Sequence, residues 1–256
     1  MSFSSNSMAA VVALVLGAGP SAVLAETALV AVAANFADAA ETLSPAFTAA
    51  TGHRVQLTTG STGKLYAQIS AGAPFEVLLS ADAKTPAKLE DEGKAVAGSR
   101  FTYAVGQLAL FSANPQTVAA DGRAALENPD LRFVAIANPD LAPYGIAARQ
   151  TMMAMGLWDT LLPKVVMGQN IGQTFSLVST GAAEVGFVAL SAVKAPGKEP
   201  AGSYWQVPQA MFTPILQDAV LLKAGAANPA AVAFVDFLES PEAIAVINSF
   251  GYGVGN

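Results

Sequence analysis

Short apolar runs alternate with segments of helical periodicity along most of this chain, and this alternation restricts the possible folds more than any other feature. Runs such as residues 30–34 and 185–189 contain no polar alternation, as expected of parallel strands that are covered on both faces. Helical spacing follows the first run at Phe36, Ala40 and Leu43. The pattern predicts an α/β fold with mainly parallel sheets, in which ligands bind at the carboxyl ends of strands.

The chain leaves the first unit of alternating strands and helices near residues 103–106 and returns to it near residues 213–219, which predicts two lobes joined by two crossings. We expect a first lobe of residues 26–104 plus 220–256 and a second lobe of residues 105–219. Predicted strands cover residues 30–34, 54–58, 77–80, 103–106, 108–111, 133–137, 165–167 and 185–189, with a return near 213–219. The first predicted helix begins at residue 35, and Pro45 should kink or restart it. Further predicted helices cover residues 64–70, 85–92, 145–155, 172–180, 229–238 and 241–250.

Composition excludes several classes of function. Of the 256 residues, 53% are hydrophobic and 12% charged, so the chain can bury a sizeable core. A net charge of −6 argues against nucleic acid as a partner, because binding phosphate backbones requires clustered Lys and Arg. The absence of cysteine excludes disulfides, thiolate metal sites and a lipoprotein anchor, and a single histidine excludes a multi-histidine metal site. We expect that histidine, His53, to be a solvated surface residue without a catalytic role.

Residues 1–25 have the pattern of a secretory signal peptide. An apolar run over residues 8–24 is interrupted by Gly17, Gly19 and Pro20 and ends in small residues, which predicts cleavage after Ala25. No Lys or Arg precedes the run, so a transmembrane anchor remains an alternative, although the run is short of the ~20 apolar residues that cross a bilayer. We expect a soluble, exported mature protein.

Four turns join a predicted strand to a predicted helix through small polar residues or glycine. They lie at residues 33–36, 58–64, 143–145 and 170–172, two in each predicted lobe. Asn35 stands where an N-cap belongs, and we expect its side-chain oxygen to accept from the N–H of Ala37 or Asp38. Because the free N–H groups of helix N-termini bind anions, we expect all four turns to close on one small dianion.

The four turns offer hydrogen-bond donors almost exclusively. None contains Arg or a carboxylate, and only Lys64 is charged. Asp38 is the one nearby acid that could oppose an anion, if its side chain turned inward. A site made of donors favours fully deprotonated oxyanions, because a protonated one would bury an unpaired donor at a cost of about 1–3 kcal/mol.

The Gly60-Ser61-Thr62-Gly63-Lys64 segment resembles two catalytic motifs but fits neither. A phosphate-binding P-loop requires Gly where Thr58 stands and Ser or Thr where Leu65 stands. A nucleophile elbow requires Gly where Thr59 stands. A periplasmic hydrolase with Ser61 as the nucleophile remains an alternative, but the spacing identifies no base for it.

Five segments together resemble the periplasmic molybdate-binding proteins of ABC importers, which have the type II periplasmic binding fold. The resemblance extends over residues 29–253. The segments are residues 33–36 (AANF), 60–69 (GSTGKLYAQI), 72–75 (GAPF) with 80–82 (SAD), 138–139 (NP) with 143–145 (PYG), and 181–188 (GAAEVGFV). The resemblance implies two hinged lobes around a buried oxyanion that hydroxyls and main-chain amides hold.

The resemblance also implies the residues that contact the anion. Asn35 takes the place of the first-loop ligand, and Thr62 that of the second-loop hydroxyl, with Ser61 beside it. Tyr144 and Ile171 occupy the positions whose main-chain N–H groups contact the anion, so molybdenum as molybdate would be held through Asn35, Thr62, Tyr144 and Ile171.

Two departures from the family pattern affect the number of ligands. Many relatives have Ser where Asn35 stands, and some have a ligand Tyr where this chain has Ala189. The Tyr144 phenol is expected to offset the missing one.

By this resemblance the chain is a periplasmic receptor that captures molybdate, and also tungstate, and delivers it to a membrane ABC permease. It would be a monomer that carries no cofactor and catalyses no reaction. Sulfate or another tetrahedral oxyanion remains an alternative ligand, because the sequence does not show the size of the cavity.

Overall fold

The computed structural model describes residues 25–197 and 202–253, so the predicted signal peptide lies outside the described residues except for Ala25. Two five-stranded sheets, each flanked by helices, form the described chain. The predicted two-lobed α/β fold is therefore confirmed. Among the described residues, no helix is long and apolar enough to cross a membrane.

The first sheet begins with strands that helices connect. Its elements are β1 (Thr27–Ala33), α1 (Ala37–Thr51), β2 (Arg54–Gly60), α2 (Thr62–Ser70), β3 (Val77–Leu79), α3 (Lys84–Asp91) and β4 (Phe101–Gly106). β1 pairs in parallel with β2 and β3, and the connecting helices α1 and α2 are the crossovers that parallel pairing requires.

The second sheet contains the middle of the chain. Its elements are β5 (Leu108–Ser112), α4 (Arg123–Leu126), β6 (Val134–Ala137), α5 (Pro143–Ala154), α6 (Trp158–Leu161), β7 (Val165–Gly168), α7 (Ile171–Ser179), β8 (Val185–Ala189), α8 (Leu190–Val193) and β9 (Ser203–Gln206). The chain then returns to the first sheet through β10 (Ile215–Leu221), which α9 (Pro229–Phe237) and α10 (Pro241–Ser249) follow.

Both sheets are mixed. The strand order is β2-β1-β3-β10-β4 in the first sheet and β7-β6-β8-β5-β9 in the second. β10 is antiparallel to β3 and β4, and β5 is antiparallel to β8 and β9. β5 and β10, the strands that follow the two crossings, therefore run opposite to the other four strands of their sheets.

The position of β10 bears on the boundaries of the lobes. It pairs with β3 and β4 from Ile215 onward, whereas the sequence placed the return at residues 213–219 and ended the second lobe at residue 219. We propose residues 25–106 plus 215–253 as the first lobe and the intervening residues as the second, because a strand belongs with the sheet that hydrogen-bonds it.

Two details of the first lobe differ from the sequence predictions. Helix α1 continues through Pro45 instead of restarting there; the carbonyl that loses its partner belongs to Glu41, which is exposed and can bond to water. The prediction of a solvated His53 is wrong, because this residue is only 5% exposed. Its Nδ1 accepts from Glu26 N over 3.2 Å at the start of β1, which satisfies the buried ring.

Candidate anion-binding site

One small cavity lies where the two lobes meet, at the carboxyl ends of β1, β2, β6 and β7. It is lined by Ala33, Ala34, Asn35, Gly60, Ser61, Thr62, Ala81, Ala142, Pro143, Tyr144, Asn170 and Ile171. The structure brings all five predicted contact residues to this cavity, and none of the lining residues is charged. Four turns far apart in sequence therefore meet as the strand-to-helix pattern predicts.

Two buried hydroxyls at the start of α2 are arranged to donate into the cavity. Ser61 caps the helix, with its Oγ accepting from Lys64 N over 3.4 Å. Thr62 Oγ1 accepts from Ala81 N over 3.1 Å. Since each oxygen already accepts a hydrogen bond from the protein, each hydroxyl proton remains available for an acceptor in the cavity.

Two main-chain N–H groups come from the second lobe. Tyr144 lies in the first turn of α5 after Pro143, and Ile171 is the first residue of α7. Asn170 caps α7 through Oδ1, which accepts from Gln173 N over 2.9 Å. Neither the Tyr144 nor the Ile171 N–H donates to another group in the described part of the chain, and both stand at the positive end of a helix dipole.

The first turn of α5 packs directly on the end of β6, and glycine makes this contact possible. A Cβ on Gly145 would lie 2.1 Å from Ala137 O, a distance that no side chain can occupy. This close packing brings the adjacent Tyr144 N–H to the cavity wall.

Asn35 does not cap a helix, so the predicted capping role is wrong. A 3₁₀ turn (Ala34–Phe36) precedes α1, and no side chain caps either element. Asn35 instead points its amide nitrogen beneath the cavity, where Nδ2 donates to Gln217 Oε1 over 2.8 Å and to Tyr252 Oη over 3.2 Å. Its Oδ1 is buried and has no partner among the described residues.

A network of neutral polar side chains continues from Asn35 below the cavity. Gln217 Nε2 donates to Tyr144 Oη over 3.2 Å, and Tyr103 Oη lies 3.1 Å from Gln217 Oε1. Tyr252 Oη donates to the main-chain oxygen of Asn35 over 2.6 Å. Gln217 and Tyr252 were not predicted from the sequence, although a Gln in the mostly apolar run of β10 is a signal of a buried polar contact.

The three tyrosines of this network stay neutral. Burial raises the pKa of Tyr103 and of Tyr144 well above the usual value of 10, and the pKa of Tyr252 also rises, with burial again the largest cause. The base of the cavity therefore contributes hydrogen-bonding groups without negative charge.

The two lobes are closed on each other around the cavity. Gly63 N donates to Leu141 O over 3.0 Å, and Ser191 Oγ donates to Asn35 O over 3.1 Å. Lys64 Nζ donates to Gln169 Oε1 across the same gap. The charged end of Lys64 therefore joins the lobes at the surface, outside the small cavity.

Comparison with known proteins places the chain in a family. The family described as bacterial extracellular solute-binding protein matches residues 28–253. This chain belongs to that family.

Two curated relatives of this solute-binding protein are similar over nearly their whole length. It is 50% identical to molybdate-binding protein ModA of Rhodobacter capsulatus over 244 residues, which cover 95% of this chain and 94% of the relative. It is also 50% identical to molybdate-binding protein ModA of Azotobacter vinelandii over 241 residues, 93% and 95% of the two chains. The solved structure of the periplasmic molybdate-binding protein of Azotobacter vinelandii superposes with a TM-score of 0.86 at 40% identity, covering 90% of this chain and all of that one.

Two residues that the sequence indicated as relevant to the site lie beside the small cavity. Asp38 and Ala189 line a neighbouring cleft of about 400 Å³ that continues outward between the lobes. Asp38 of this solute-binding protein, the one nearby acid that could have opposed an anion by turning inward, is therefore not a lining group of the small cavity.

Ser61 lacks the partners of a nucleophile. Its Oγ bonds to the main chain of Lys64, and His53 bonds instead to Glu26 at the opposite end of β1. No basic side chain hydrogen-bonds to Ser61 among the described residues, so the geometry does not favour the hydrolase alternative.

Proposed function

We propose that this protein is an extracytoplasmic receptor that binds molybdate and delivers it to a membrane ABC permease. One observation carries the proposal: an uncharged cavity of hydrogen-bond donors lies at helix N-termini in a chain that is half identical to molybdate-binding proteins. A tetrahedral dianion presents only acceptors, so such a cavity matches its chemistry.

In this proposal five residues contact the anion. Ser61 and Thr62 donate through their hydroxyls, Tyr144 and Ile171 through their main-chain N–H groups, and Asn35 through its carboxamide. Hydrogen bonds to a charged acceptor are the strong ones, and the aligned dipoles of α2, α5 and α7 add to them. Together these groups replace the water that the ion loses.

Capture follows from closure of the lobes. Each lobe supplies donors to only part of the anion: Ser61 and Thr62 come from the first, Tyr144 and Ile171 from the second. The bound ion therefore favours the closed state, since only that state completes its contacts. Release to the permease requires the lobes to open and the contacts to be lost together.

Three further statements belong to the same proposal. Tungstate binds as molybdate does, because both are tetrahedral dianions without a proton. The protein acts as a monomer, since both lobes of the cavity come from one chain. Residues 1–25 direct export to the periplasm and are removed after Ala25.

Isothermal titration of the purified protein with molybdate, tungstate, sulfate and phosphate tests the proposal. We expect one-to-one binding of molybdate and tungstate and no heat from sulfate or phosphate. A preference for sulfate would keep the site but change the transported ion. No heat from any of the four would contradict the receptor proposal, and ester hydrolysis would then revive the alternative with Ser61.

A further inference from the structure

Asn35 and Gln217 form a pair of buried carboxamides beneath the cavity. Asn35 is 9% exposed and Gln217 is fully buried. In this structure Asn35 Nδ2 donates to Gln217 Oε1 and to Tyr252 Oη, so both of its hydrogens are used below the cavity. Oδ1 is the remaining branch of the Asn35 carboxamide, and it is buried with no partner in the described chain.

In this orientation two hydrogen-bonding arrangements are unfavourable. A buried acceptor without a donor is unfavourable, and an oxyanion cannot satisfy it, because the ion offers only further lone pairs. Tyr103 has one proton but two acceptors in reach, Ser80 O at 3.0 Å and Gln217 Oε1 at 3.1 Å. One of those two acceptors therefore receives no hydrogen bond from Tyr103.

Turning both carboxamides by 180° keeps the branches in place and gives every group below the cavity a partner. Tyr252 then gives its single proton to Asn35 Oδ1 over 3.2 Å, and Ser191 Oγ still donates to Asn35 O. Gln217 Nε2 then donates to Asn35 Oδ1 over the 2.8 Å between these branches and to Tyr103 Oη over 3.1 Å. The single proton of Tyr103 goes to Ser80 O. Gln217 Oε1 accepts the proton of Tyr144 over 3.2 Å. Asn35 Nδ2 is left on the unpartnered side, with hydrogens to donate.

We propose that Gln217 is a positioning residue that holds the Asn35 carboxamide with its nitrogen toward the bound anion, and that it thereby makes the cavity select oxyanions without a proton. The proposal rests on the proposed function. Gln217 does not line the cavity, so its effect on the anion passes through Asn35.

The space around Gln217 supports a fixed position for this side chain. A Cβ on Gly106 would lie 2.6 Å from Gln217 Nε2 and 2.4 Å from Tyr144 Oη. The two side chains thus pack against bare backbone at the crossing between the lobes. With its position fixed in this way, Gln217 retains only the choice between its two amide orientations.

Two substitutions at residue 217 separate orientation from packing. A Gln217→Glu carboxylate only accepts, so it holds Asn35 Nδ2 downward and turns Oδ1 toward the ion, and its charge also repels the dianion. We expect molybdate affinity to fall at least ~100-fold, and neutron diffraction tests the orientation without this added charge. Gln217→Met fills similar space without hydrogen bonds and leaves Asn35 free to turn, so we expect a loss below ~10-fold. Circular dichroism of each variant checks that it is folded.

Neutron diffraction observes the orientation directly and does not depend on the variants. Wild-type crystals grown with molybdate and exchanged into D₂O should show deuterium on the Asn35 branch nearest the anion. Deuterium on Gln217 should lie between Asn35 and Tyr103. An oxygen of Asn35 facing the anion, or deuterium of Gln217 facing Tyr144, would overturn the proposal.

Different experimental results would overturn the proposed function and the role of Gln217. A wild-type protein that binds neither molybdate, tungstate nor sulfate overturns both. A wild-type protein that binds molybdate, with Gln217→Glu and Gln217→Met losing equal affinity, overturns only the role of Gln217. If the Gln217→Glu variant does not fold, the neutron structure of the wild-type complex decides.

Discussion

The hydroxyl of Thr62 has one proton to give, because its oxygen already accepts from Ala81 N. We predict that Thr62→Ala weakens molybdate binding by about 1–3 kcal/mol, the value of one hydrogen bond to a charged group. Isothermal titration measures the change. An unchanged affinity would remove Thr62 from the proposed site.

Two controls belong to this measurement. Thr62→Ser keeps the hydroxyl and should bind within a few-fold of wild type. Thr58→Ala removes a hydroxyl of the neighbouring strand that is exposed and does not line the cavity, and it should leave the affinity unchanged.

The buried tyrosines predict a loss of stability at high pH. The pKa values of Tyr103, Tyr144 and Tyr252 are raised in the folded protein, so the fold favours their neutral form. Their contribution is complete below the unfolded value of about 10 and is lost as pH rises from there toward the folded values. The tyrosinate absorbance of these three side chains should therefore appear together with the loss of folded circular dichroism above pH ~10. Ionisation of these three side chains in an intact fold would contradict the prediction.

The sequence located residues at the cavity where a backbone turn fixes the position, but it could not give the orientation of a side chain; that these residues contact the anion stays a prediction. Ser61, Thr62, Tyr144 and Ile171 reach the cavity because each starts a helix after a strand. The direction of the Asn35 carboxamide depends on Gln217, 182 positions away along the chain. Periodicity and local spacing contain no information about such a contact.

At the level of elements, the start of α5 depends on the missing side chain of Gly145. We predict that Gly145→Ala forces the helix away from Ala137 O, lowers stability by about 1–3 kcal/mol, and weakens molybdate binding by moving the Tyr144 N–H. Thermal unfolding and isothermal titration measure the two effects. Ile146→Ala is a matched control in the same turn, since Ile146 is 39% exposed. Equal behaviour of the two variants would contradict the role of Gly145.

Strand β10 carries the buried carboxylate of Asp218, which the guanidinium of Arg100 neutralises. Asp218 accepts from Arg100 Nη1 over 2.7 Å and from Thr102 Oγ1 over 2.7 Å. The Asp218 hydrogen bond is also the main cause of the raised pKa of Arg100. We predict that Arg100→Met destabilises the protein by about 1–3 kcal/mol, less than for a fully buried pair, because the Arg100 side chain is 38% exposed.

Denaturant unfolding measures this loss of stability. Arg132→Met serves as the comparison, since the Arg132 side chain is 73% exposed in its pair with Glu184 and should contribute at most about 1 kcal/mol. Equal losses from the two substitutions would show that burial of Asp218 is not the cause.

The predicted strands agree with the structure to within three residues at each end, and one strand was missed. The prediction for β8 agrees with the structure at both ends, because all five residues are buried and apolar. Strand β9 (Ser203–Gln206) was not predicted; it is short, lies at the edge of its sheet and is only partly buried. Its strand conformation comes from pairing with β5, which local periodicity cannot show.

For the molecule as a whole, closure of the lobes predicts that salt affects binding only weakly. An uncharged cavity between closed lobes holds its ion away from the ionic atmosphere, which screens over about 10 Å at 0.1 M salt. We expect molybdate affinity to change less than about threefold between ~0.1 M and ~1 M sodium chloride. Titration calorimetry at both concentrations checks this, and a tenfold loss would indicate an ion held at the surface.

The late position of Gln217 and Tyr252 in the chain has a consequence for biosynthesis. When a ribosome has made the first 200 residues, the chain already contains all five residues proposed to contact the anion. It does not yet contain β10, which lies between β3 and β4 in the folded protein. At that stage the support beneath Asn35 does not exist. A nascent chain therefore cannot hold the anion, and the receptor gains its affinity only after translation is complete, when β10 and Tyr252 have packed beneath Asn35.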